Sequence, residues 1–193
     1  MGIDFGRSKD LTCAWTDEVV GDISIAKEVL CLRNTPTPEQ VNILGPRIAR
    51  CARACLDYAG PGIGLGDYLV KEHGEYDPGR HLFGKIELVK GTNENKVSNF
   101  SKLRMVFERR GTRIPISNTI REDLHSVYRC STPTGQVTYR APHNEDGHAD
   151  RATAKALAER ARSYSGQAGK FYVFDKTRRS LASFGRRTRE VVG

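Results

Sequence analysis

The sequence lacks the features that define several broad classes of protein. No apolar run approaches the roughly 18 residues that a membrane-spanning helix requires. The first residues, Met1-Gly2-Ile3-Asp4, lack the basic-then-apolar order of a secretory signal. The five cysteines are odd in number and form no Cys-x-x-Cys pair, which argues against a disulfide framework and against a zinc ribbon. We therefore expect a cytoplasmic protein with no membrane segment.

Acidic residues are scarce relative to basic ones. The 193 residues include 31 Lys and Arg against 23 Asp and Glu, a net charge of +8. Residues 170–193 hold seven basic and two acidic side chains, which is +5 of that excess. We expect one domain over residues 1–169 and a basic C-terminal tail over 170–193 that contacts a polyanion such as a nucleic acid. The alternative is a tail that is only solvated.

The first part of the sequence has strand periodicity. Apolar and polar residues alternate in segments 2–6, 11–16 and 23–32, which predicts a three-stranded antiparallel meander. Thr37-Pro38 followed by Gln40 predicts a capped helix start. Apolar residues at positions 41, 44, 48, 51 and 55 predict one helical stripe, which Gly45-Pro46 would kink or split.

From residue 54 onward, predicted strands and helices alternate, a pattern that favours parallel strands. An apolar strand ends near Asp57, and the glycine-rich turn 60–66 and a helix follow. The later predicted elements are a strand over 85–89, a helix over 97–110, a strand over 113–116, a helix over 119–128, a hairpin over 132–140 and a helix over 147–163 whose alanines allow close approach to a sheet. The pattern predicts an α/β fold, with a mixed sheet (an antiparallel meander followed by parallel strands) flanked by helices.

Two phosphate-binding patterns are nearly matched and fail. Residues 79–85 have the glycine and lysine spacing of a Walker A loop, but Ile86 replaces the hydroxyl that binds magnesium and a strand follows. Gly60-Pro61-Gly62 lacks the third glycine of a dinucleotide-binding fingerprint, because position 65 is leucine. The sequence therefore gives no support for a nucleotide-binding loop.

Three aspartates occupy positions where a carboxylate is costly. Asp4 lies in an apolar strand, Asp57 at the carboxyl end of another, and Asp150 in the first turns of the alanine-rich helix. Taken alone, Asp57 is equally well explained as a turn residue and Asp150 as an acid favoured by the helix dipole. Carboxylates gathered at one sheet edge, however, repel one another unless divalent cations hold them. The set predicts a metal centre for phosphodiester hydrolysis.

Three segments carry a family resemblance. "GIDFGRSKDLTCAW", "CLDYAGPGIGLGDYL" and "GHADRATAKALAERA" resemble the three acidic motifs of the ribonuclease H-like nuclease domain of the large terminase subunits of tailed bacteriophages. "KLRMVFERRGTRIPISNTIREDL" is similar to that family's segment before its final helix, so the resemblance covers about residues 2–165. It implies a ribonuclease H-like fold and a catalytic role for Asp4, Asp57 and Asp150. Asp146 and His148 are further candidate metal ligands.

The resemblance also implies a mechanism. Asp4 would bridge two Mg²⁺ or Mn²⁺ ions, and Asp57 and Asp150 would each help to hold one, so that one ion activates a water and the other stabilises the leaving 3′ oxygen. Basic side chains would hold the backbone of double-stranded DNA without reading its bases. The residues predicted for that contact are Arg104, Arg109, Arg110, Arg113, Lys176, Arg178, Arg179, Arg186 and Arg187.

The implied function is endonucleolytic cutting of concatemeric viral DNA during packaging, in the cytoplasm of an infected bacterial host. By the same resemblance, the partners are a packaging ATPase domain, a small terminase subunit and a portal protein. No Walker A loop is present, and a strand that begins at residue 2 favours an excised nuclease half over a free-standing relative. Two alternatives remain. One is a junction-resolving nuclease or transposase-like core of the same fold, and the other is a non-catalytic nucleic-acid-binding module.

Overall fold

The computed structural model describes residues 1–6, 11–60, 62–142 and 149–164. The strands are β1 (Gly2–Asp4), β2 (Thr12–Val20), β3 (Ile23–Leu32), β4 (Ala54–Tyr58), β5 (Tyr76–Asp77), β6 (Leu82–Phe83), β7 (Ile86–Lys90), β8 (Thr112–Arg113), β9 (Tyr128–Ser131) and β10 (Val137–Arg140). The helices are α1 (Thr37–Arg50), α2 (Gly62–His73), α3 (Asn93–Glu108), α4 (Asn118–Ser126) and α5 (Asp150–Tyr164). Within these ranges, no helix has the length and apolar character needed to cross a membrane.

Six of the strands form one mixed sheet in the order β7-β4-β1-β2-β3-β8. β2 is antiparallel to both β1 and β3, whereas β4 runs parallel to β1, β7 parallel to β4 and β8 parallel to β3. The two short pairs β5-β6 and β9-β10 lie outside this sheet. The predicted mixed sheet, a meander followed by parallel strands, is confirmed.

Helices cover both faces of the sheet, because alternate residues of each strand point to opposite faces. On one face, Leu44 of α1 and Leu65 of α2 pack in one buried cluster with Ile3 and Leu56 of the central strands. On the other face, α5 packs against β1, β2 and β4, and α3 and α4 lie beside it. This layering leaves the carboxyl ends of β1, β4 and β7 at one edge, between the starts of α3 and α5.

Helix α5 lies unusually close to the central strand. A β-carbon added to Gly2 would collide with the carbonyl oxygen of Ala154 and the amide nitrogen of Ala158. Both alanines also pack with Trp15 of β2 in a buried cluster. The expectation that alanines let this helix approach its sheet is confirmed.

Helix α1 bears on three predictions. It is one helix that contains Pro46, so the chain is not split there. No capping box forms: Pro36 holds the N-cap position, and Gln40 instead donates a hydrogen bond from Nε2 to the carbonyl oxygen of Thr35 at 2.7 Å. The apolar stripe stops at Cys51, because the next cysteine, Cys55, pairs with β1 inside the sheet.

Helix α2 begins inside the stretch that was predicted as a turn. Glycines disfavour helices by about 1 kcal/mol each, but Gly66 faces the sheet, where an added β-carbon would lie 2.9 Å from side-chain carbons of both Leu56 and Tyr58. Glycine at this position therefore allows close packing of the helix on β4. Tertiary packing overrides the local propensity here.

The second half of the chain shifts several boundaries. α3 begins at Asn93 rather than at 97, because the hydroxyl of Thr92 caps it by accepting a hydrogen bond from the Asn95 amide at 3.2 Å. α4 ends at Ser126, and Tyr128, predicted as helical, begins strand β9. β8 has only two residues because it pairs with β3 only at those two positions, at the edge of the sheet.

Candidate active site

Strand pairing brings two of the predicted carboxylates to the same edge. Ile3 of β1 is the parallel partner of Leu56 of β4, so Asp4 and Asp57, the residues that follow, come at the same level. The two-residue period of a strand places Asp4 on the face of Gly2, which is the face that α5 covers. Asp57 shares the face of Cys55, which also packs against α5.

The third carboxylate comes from the start of α5. Asp150 is the first residue of the helix and is 5% exposed. Its Oδ2 accepts a hydrogen bond from the Leu11 amide at 3.1 Å. Ala149, directly before it, has a φ of 63°, in the left-handed region that non-glycine residues seldom occupy. The chain therefore turns sharply as it delivers Asp150 to the sheet edge.

Asp4, Asp57 and Asp150 line one open cleft of about 270 Å³. The cleft lies between the ends of β1, β4 and β7 and the starts of α3 and α5. Its other polar lining residues are Lys90, Thr92, Asn95, Lys96, Asn99 and Thr153. Carboxylates, lysines and amides together make a cleft that suits a phosphate group bound with a cation.

The carboxylate of Asp57 has no direct partner in the part of the chain that the structure describes: no hydrogen bond or ion pair to it is formed there. Burial raises the pKa of Asp57 above its ordinary value, and the positive charge of Lys96 on α3 offsets part of that rise. Ionising a half-buried carboxylate that has no direct partner costs free energy. A bound cation would relieve that cost.

Asp123 of α4 fixes the start of α5. Its Oδ2 accepts a hydrogen bond from the Arg151 amide at 2.8 Å, so a side chain from another helix acts as the cap. The guanidinium of Arg151 lies 3.8 Å from the same carboxylate. Burial raises the pKa of Asp123, while the hydrogen bonds and the charge of Arg151 oppose the rise. Sequence reasoning missed this residue, because a cap that comes from a distant helix leaves no local signature.

A buried charge network holds the middle of α5 against the meander. Lys155 is fully buried, and its Nζ lies 2.7 Å from Asp17 of β2 and 2.7 Å from Glu159 one turn along α5. Ser24 of β3 donates a hydrogen bond to Glu159 at 2.6 Å. Trp15 donates its indole N–H to Asp17 at 2.7 Å. These contacts give α5 one axial position on the sheet, and Asp150 is positioned with it.

The cleft has the ligand chemistry of a divalent cation site without being assembled as one. Among the described residues, no three Asp, Glu, His or Cys groups stand close enough to hold a metal ion as they are. Carboxylate oxygens are nevertheless the donors that Mg²⁺ and Mn²⁺ prefer, and three of them line the same cleft. These side chains are therefore of the right chemical type for such an ion. Binding of the ion would bring their carboxylate oxygens closer together.

Within the part of the chain that the structure describes, the arginines predicted to bind DNA do not line the cleft. Lys96 lines the cleft near the start of α3, whereas Arg109 directly follows the end of this helix. At 1.5 Å per residue, the two positions are about 20 Å apart. Arg104 forms an ion pair with Glu108 at 2.7 Å. The cations that do line the cleft, Lys90 and Lys96, were not predicted as site residues.

The remaining predicted residues of the domain, Arg110 and Arg113, flank the same far end of α3, and Arg113 donates a hydrogen bond to the carbonyl oxygen of Arg110 at 2.8 Å. The other predictions fall outside the described residues. These are Asp146, His148, Lys176, Arg178, Arg179, Arg186 and Arg187.

Solved structures share this architecture. No protein-family model matches the sequence, and no curated protein does either. The large terminase nuclease from thermophilic phage G20c with bound magnesium aligns with a TM-score of 0.65 and 19% identity, over 82% of this chain and 78% of that chain. The large terminase nuclease domain of Thermus phage P74-26 aligns with a TM-score of 0.59 and 18% identity, over 81% and 75%.

A further structure of the G20c nuclease, with bound cobalt, aligns with a TM-score of 0.55 and 17% identity, over 80% of this chain and 83% of that chain. The fold of this protein is therefore a ribonuclease H-like α/β fold. More narrowly, it is the fold of large terminase nuclease domains, as the three acidic motifs predicted. At such identities the likeness concerns the fold, and the chemistry has to be argued from the cleft.

Proposed function

We propose that the protein is a metal-dependent nuclease that cuts double-stranded DNA at the cleft lined by Asp4, Asp57 and Asp150. One observation carries the proposal. Three carboxylates from widely separated parts of the sequence line a single cleft, in a fold that the protein shares with nuclease domains. A purely structural role would not require three acidic side chains at one edge of the sheet.

The carboxylates would bind Mg²⁺ or Mn²⁺, which supplies an activated water and neutralises charge on the scissile phosphate. We propose that two such ions would bind and that Asp4 would be a ligand of both. Asp57 is the best placed ligand, because its carboxylate is half-buried and has no direct partner among the described residues. Asp150 is held by the Leu11 amide and the start of α5, so it offers a fixed oxygen on the opposite wall.

The cations of the cleft would position the phosphate. Lys96 lies on the first turns of α3, and its charge offsets part of the rise that burial causes in the pKa of Asp57. Thr92, Asn95 and the helix start beside them line the same cleft, and helix N-termini favour anions. Lys96 is therefore placed to hold a nonbridging phosphate oxygen while Asp57 holds the cation.

Additional contacts with the DNA duplex would come from the far end of α3. Arg109, directly after α3, lies about 20 Å from Lys96 along the helix axis, and Arg110 and Arg113 follow it in the chain. That distance equals about six base pairs of B-form DNA. These side chains would contact the backbone away from the scissile phosphate and would not read bases.

The proposed biological setting is phage DNA packaging in the cytoplasm of an infected bacterium. The substrate would be concatemeric viral DNA, and the partners would be a packaging ATPase domain, a small terminase subunit and a portal protein. The structural likeness to two phage terminase nucleases supports this setting. Residues 170–193 would form a basic tail that follows the nuclease domain of residues 1–169.

The test is cleavage of supercoiled plasmid by the full chain, with and without Mn²⁺. We expect nicking and linearisation only with the metal. Asp57→Asn should lower the rate at least about a hundredfold, because an amide cannot supply the charge that a divalent ion needs. Asp22→Asn makes the same chemical change at an exposed turn between β2 and β3 and should leave the rate unchanged.

A second readout separates metal binding from catalysis. Mn²⁺ should raise the melting temperature of the wild-type protein and of Asp22→Asn more than that of Asp57→Asn, because a ligand stabilises the state that binds it. Wild-type nicking by Asp57→Asn would place the active site elsewhere. DNA binding without any cleavage would favour a non-catalytic module, and faster cutting of four-way junctions than of duplex would favour a junction-resolving nuclease.

A further inference from the structure

Two cysteines face each other across the central meander. Cys13 of β2 and Cys31 of β3 are direct partners in the antiparallel register, and their sulfurs lie 3.0 Å apart. Residues directly opposed in such a pair have Cα atoms about 4.5 or 5.5 Å apart. Both separations fall within the range that a disulfide spans. The two sulfurs could therefore be joined with little movement of the backbone.

The two thiols have different surroundings. Cys13 is fully buried, whereas Cys31 is half-buried. The positive charge of Arg151, at the start of α5, acts on Cys31. A reagent therefore meets Cys31 first, and Cys13 stands directly behind it.

The pKa shifts of the two thiols also indicate that Cys31 reacts before Cys13. The hydrogen bond from Cys13 and the charge and hydrogen bond of Arg151 lower the pKa of Cys31 to about 7, against the opposing effect of burial. The pKa of Cys13 is raised, first by its hydrogen bond with Cys31 and then by burial. The thiolate is the nucleophilic form of cysteine. The less buried thiol, Cys31, is therefore also the one that ionises more readily.

We propose that Cys13 and Cys31 are a peroxide-reactive site in which Cys31 is the attacking thiol and Cys13 the resolving thiol. The Cys31 sulfur attacks one oxygen of a hydroperoxide: an S–O bond forms, the O–O bond breaks, and the leaving hydroxide takes up a proton to become water. The Cys13 sulfur then attacks the Cys31 sulfenic acid. The S–S bond forms, the S–O bond breaks, and the departing hydroxyl takes the Cys13 proton and leaves as a second water.

The product would connect two parts of the fold that the proposed nuclease uses. The disulfide would tie β2 to β3 in the centre of the sheet and remove the thiolate that the charge of Arg151 favours. Arg151 is also tied to Asp123 and directly follows Asp150. The proposal does not depend on nuclease activity, since the reaction involves the cysteines and peroxide alone.

The test is mass spectrometry of the full chain after treatment with hydrogen peroxide at pH 7. Trypsin cuts between Lys27 and Glu28, so Cys13 and Cys31 fall in separate peptides, 10–27 and 28–33. We expect these two peptides to be recovered linked by a disulfide and to separate on reduction. Without peroxide, Cys31 should react with iodoacetamide roughly tenfold faster than Cys51 or Cys130, which lack such a partner among the described residues.

Single variants of the two cysteines test the order of the two steps. Cys13→Ser should stop the reaction at the sulfenic acid of Cys31, which dimedone traps, and Cys31→Ser should give neither a sulfenic acid at Cys13 nor a disulfide. Cys51→Ser combined with Cys130→Ser should form the disulfide as the wild type does. Absence of the linked peptides from the wild-type protein, or alkylation of Cys31 no faster than Cys130, would overturn the proposal.

Discussion

Gly2 and Ala154 lie in backbone contact, with no space for a single carbon between β1 and α5. This contact sets the distance between the strand that ends in Asp4 and the helix that begins with Asp150. The width of the proposed active-site cleft therefore depends on a glycine and an alanine that carry no chemistry themselves.

The first prediction concerns this contact. Gly2→Ala should destabilise the protein by roughly 1 to 3 kcal/mol, because α5 must move away from β1 to make room for a methyl group. We also expect slower plasmid cleavage, since Asp150 moves with the helix. Urea unfolding gives the stability, and plasmid nicking gives the activity.

Gly64→Ala is the matched control. Gly64 lies in α2, is exposed, and has no atom within 4 Å of an added β-carbon. Alanine should stabilise this helix by about 0.5 to 1 kcal/mol. If Gly2→Ala were as stable as the wild type, the close approach of α5 would not be a constraint on the fold.

The second prediction concerns pH. Burial alone would raise the pKa of Glu159, but the charges of Lys155 and Arg162 and the hydrogen bond from Ser24 outweigh it and lower that pKa below its ordinary value. An unfolded glutamate titrates near about pH 4.3. Ionised Glu159 therefore favours the folded state above that pH, and this contribution is lost as the pH falls through the lower pKa of the folded state.

Glu159→Gln removes that titration. It should lower the free energy of unfolding at pH 7 by roughly 1 to 3 kcal/mol and make the loss of stability between pH 5 and pH 3 shallower than in the wild type. Glu18→Gln removes the exposed partner of Lys27, 3.0 Å away, and should change the stability by less than about 1 kcal/mol. Parallel acid-unfolding curves for wild type and Glu159→Gln would contradict the prediction.

The third prediction concerns the cap of α5. Asp123→Ala removes the acceptor of the Arg151 amide and should cost about 1 kcal/mol of stability, with slower cleavage because Asp150 is the neighbouring residue. Asp123→Asn keeps a carbonyl oxygen at the same place and should retain most of both. Equal effects of the two substitutions on cleavage would show that the charge of Asp123, rather than its capping oxygen, is what matters.

The fourth prediction concerns the basic tail. Removing residues 170–193 deletes +5 of charge and should flatten the dependence of DNA affinity on salt, since each phosphate contact contributes about 0.9 to the logarithmic slope. Fluorescence anisotropy with a labelled duplex at several salt concentrations measures it. Arg109→Gln combined with Arg110→Gln tests the end of α3 in the same way. A tail that does not contact DNA would leave the slope of the truncated protein unchanged.

Local patterns predicted the fold where a single element decides the structure. The meander and the alanine-rich helix follow from periodicity and composition, and both are present. The pattern failed at Gly62–Gly66, Cys55 and Tyr128, where a neighbouring element decides. Gly66 lies in a helix that packs closely on Leu56 and Tyr58 of the sheet, and Tyr128 is a strand residue because β10 pairs with it.

The candidate site likewise contains residues that local patterns predict and residues that only the tertiary structure reveals. Asp4, Asp57 and Asp150 could be predicted because each is unusual in its own segment, and the structure places all three at one cleft. Lys96 and Asp123 could not be, because their roles depend on which elements meet at the end of the sheet. A lysine on an exposed helix turn and an aspartate inside a polar helix are ordinary residues until the tertiary structure places them.

The order of the elements along the chain has a consequence for biosynthesis. Asp4 and Asp57 are translated before Asp150, which arrives with α5, and this helix also covers one face of the central sheet with Ala154, Leu157 and Ala158. A nascent chain that has not yet released α5 from the ribosome therefore lacks one wall of the cleft and the cover of that face. The cleft would in this way be completed only after α5 has been synthesised, when the domain can close in one step.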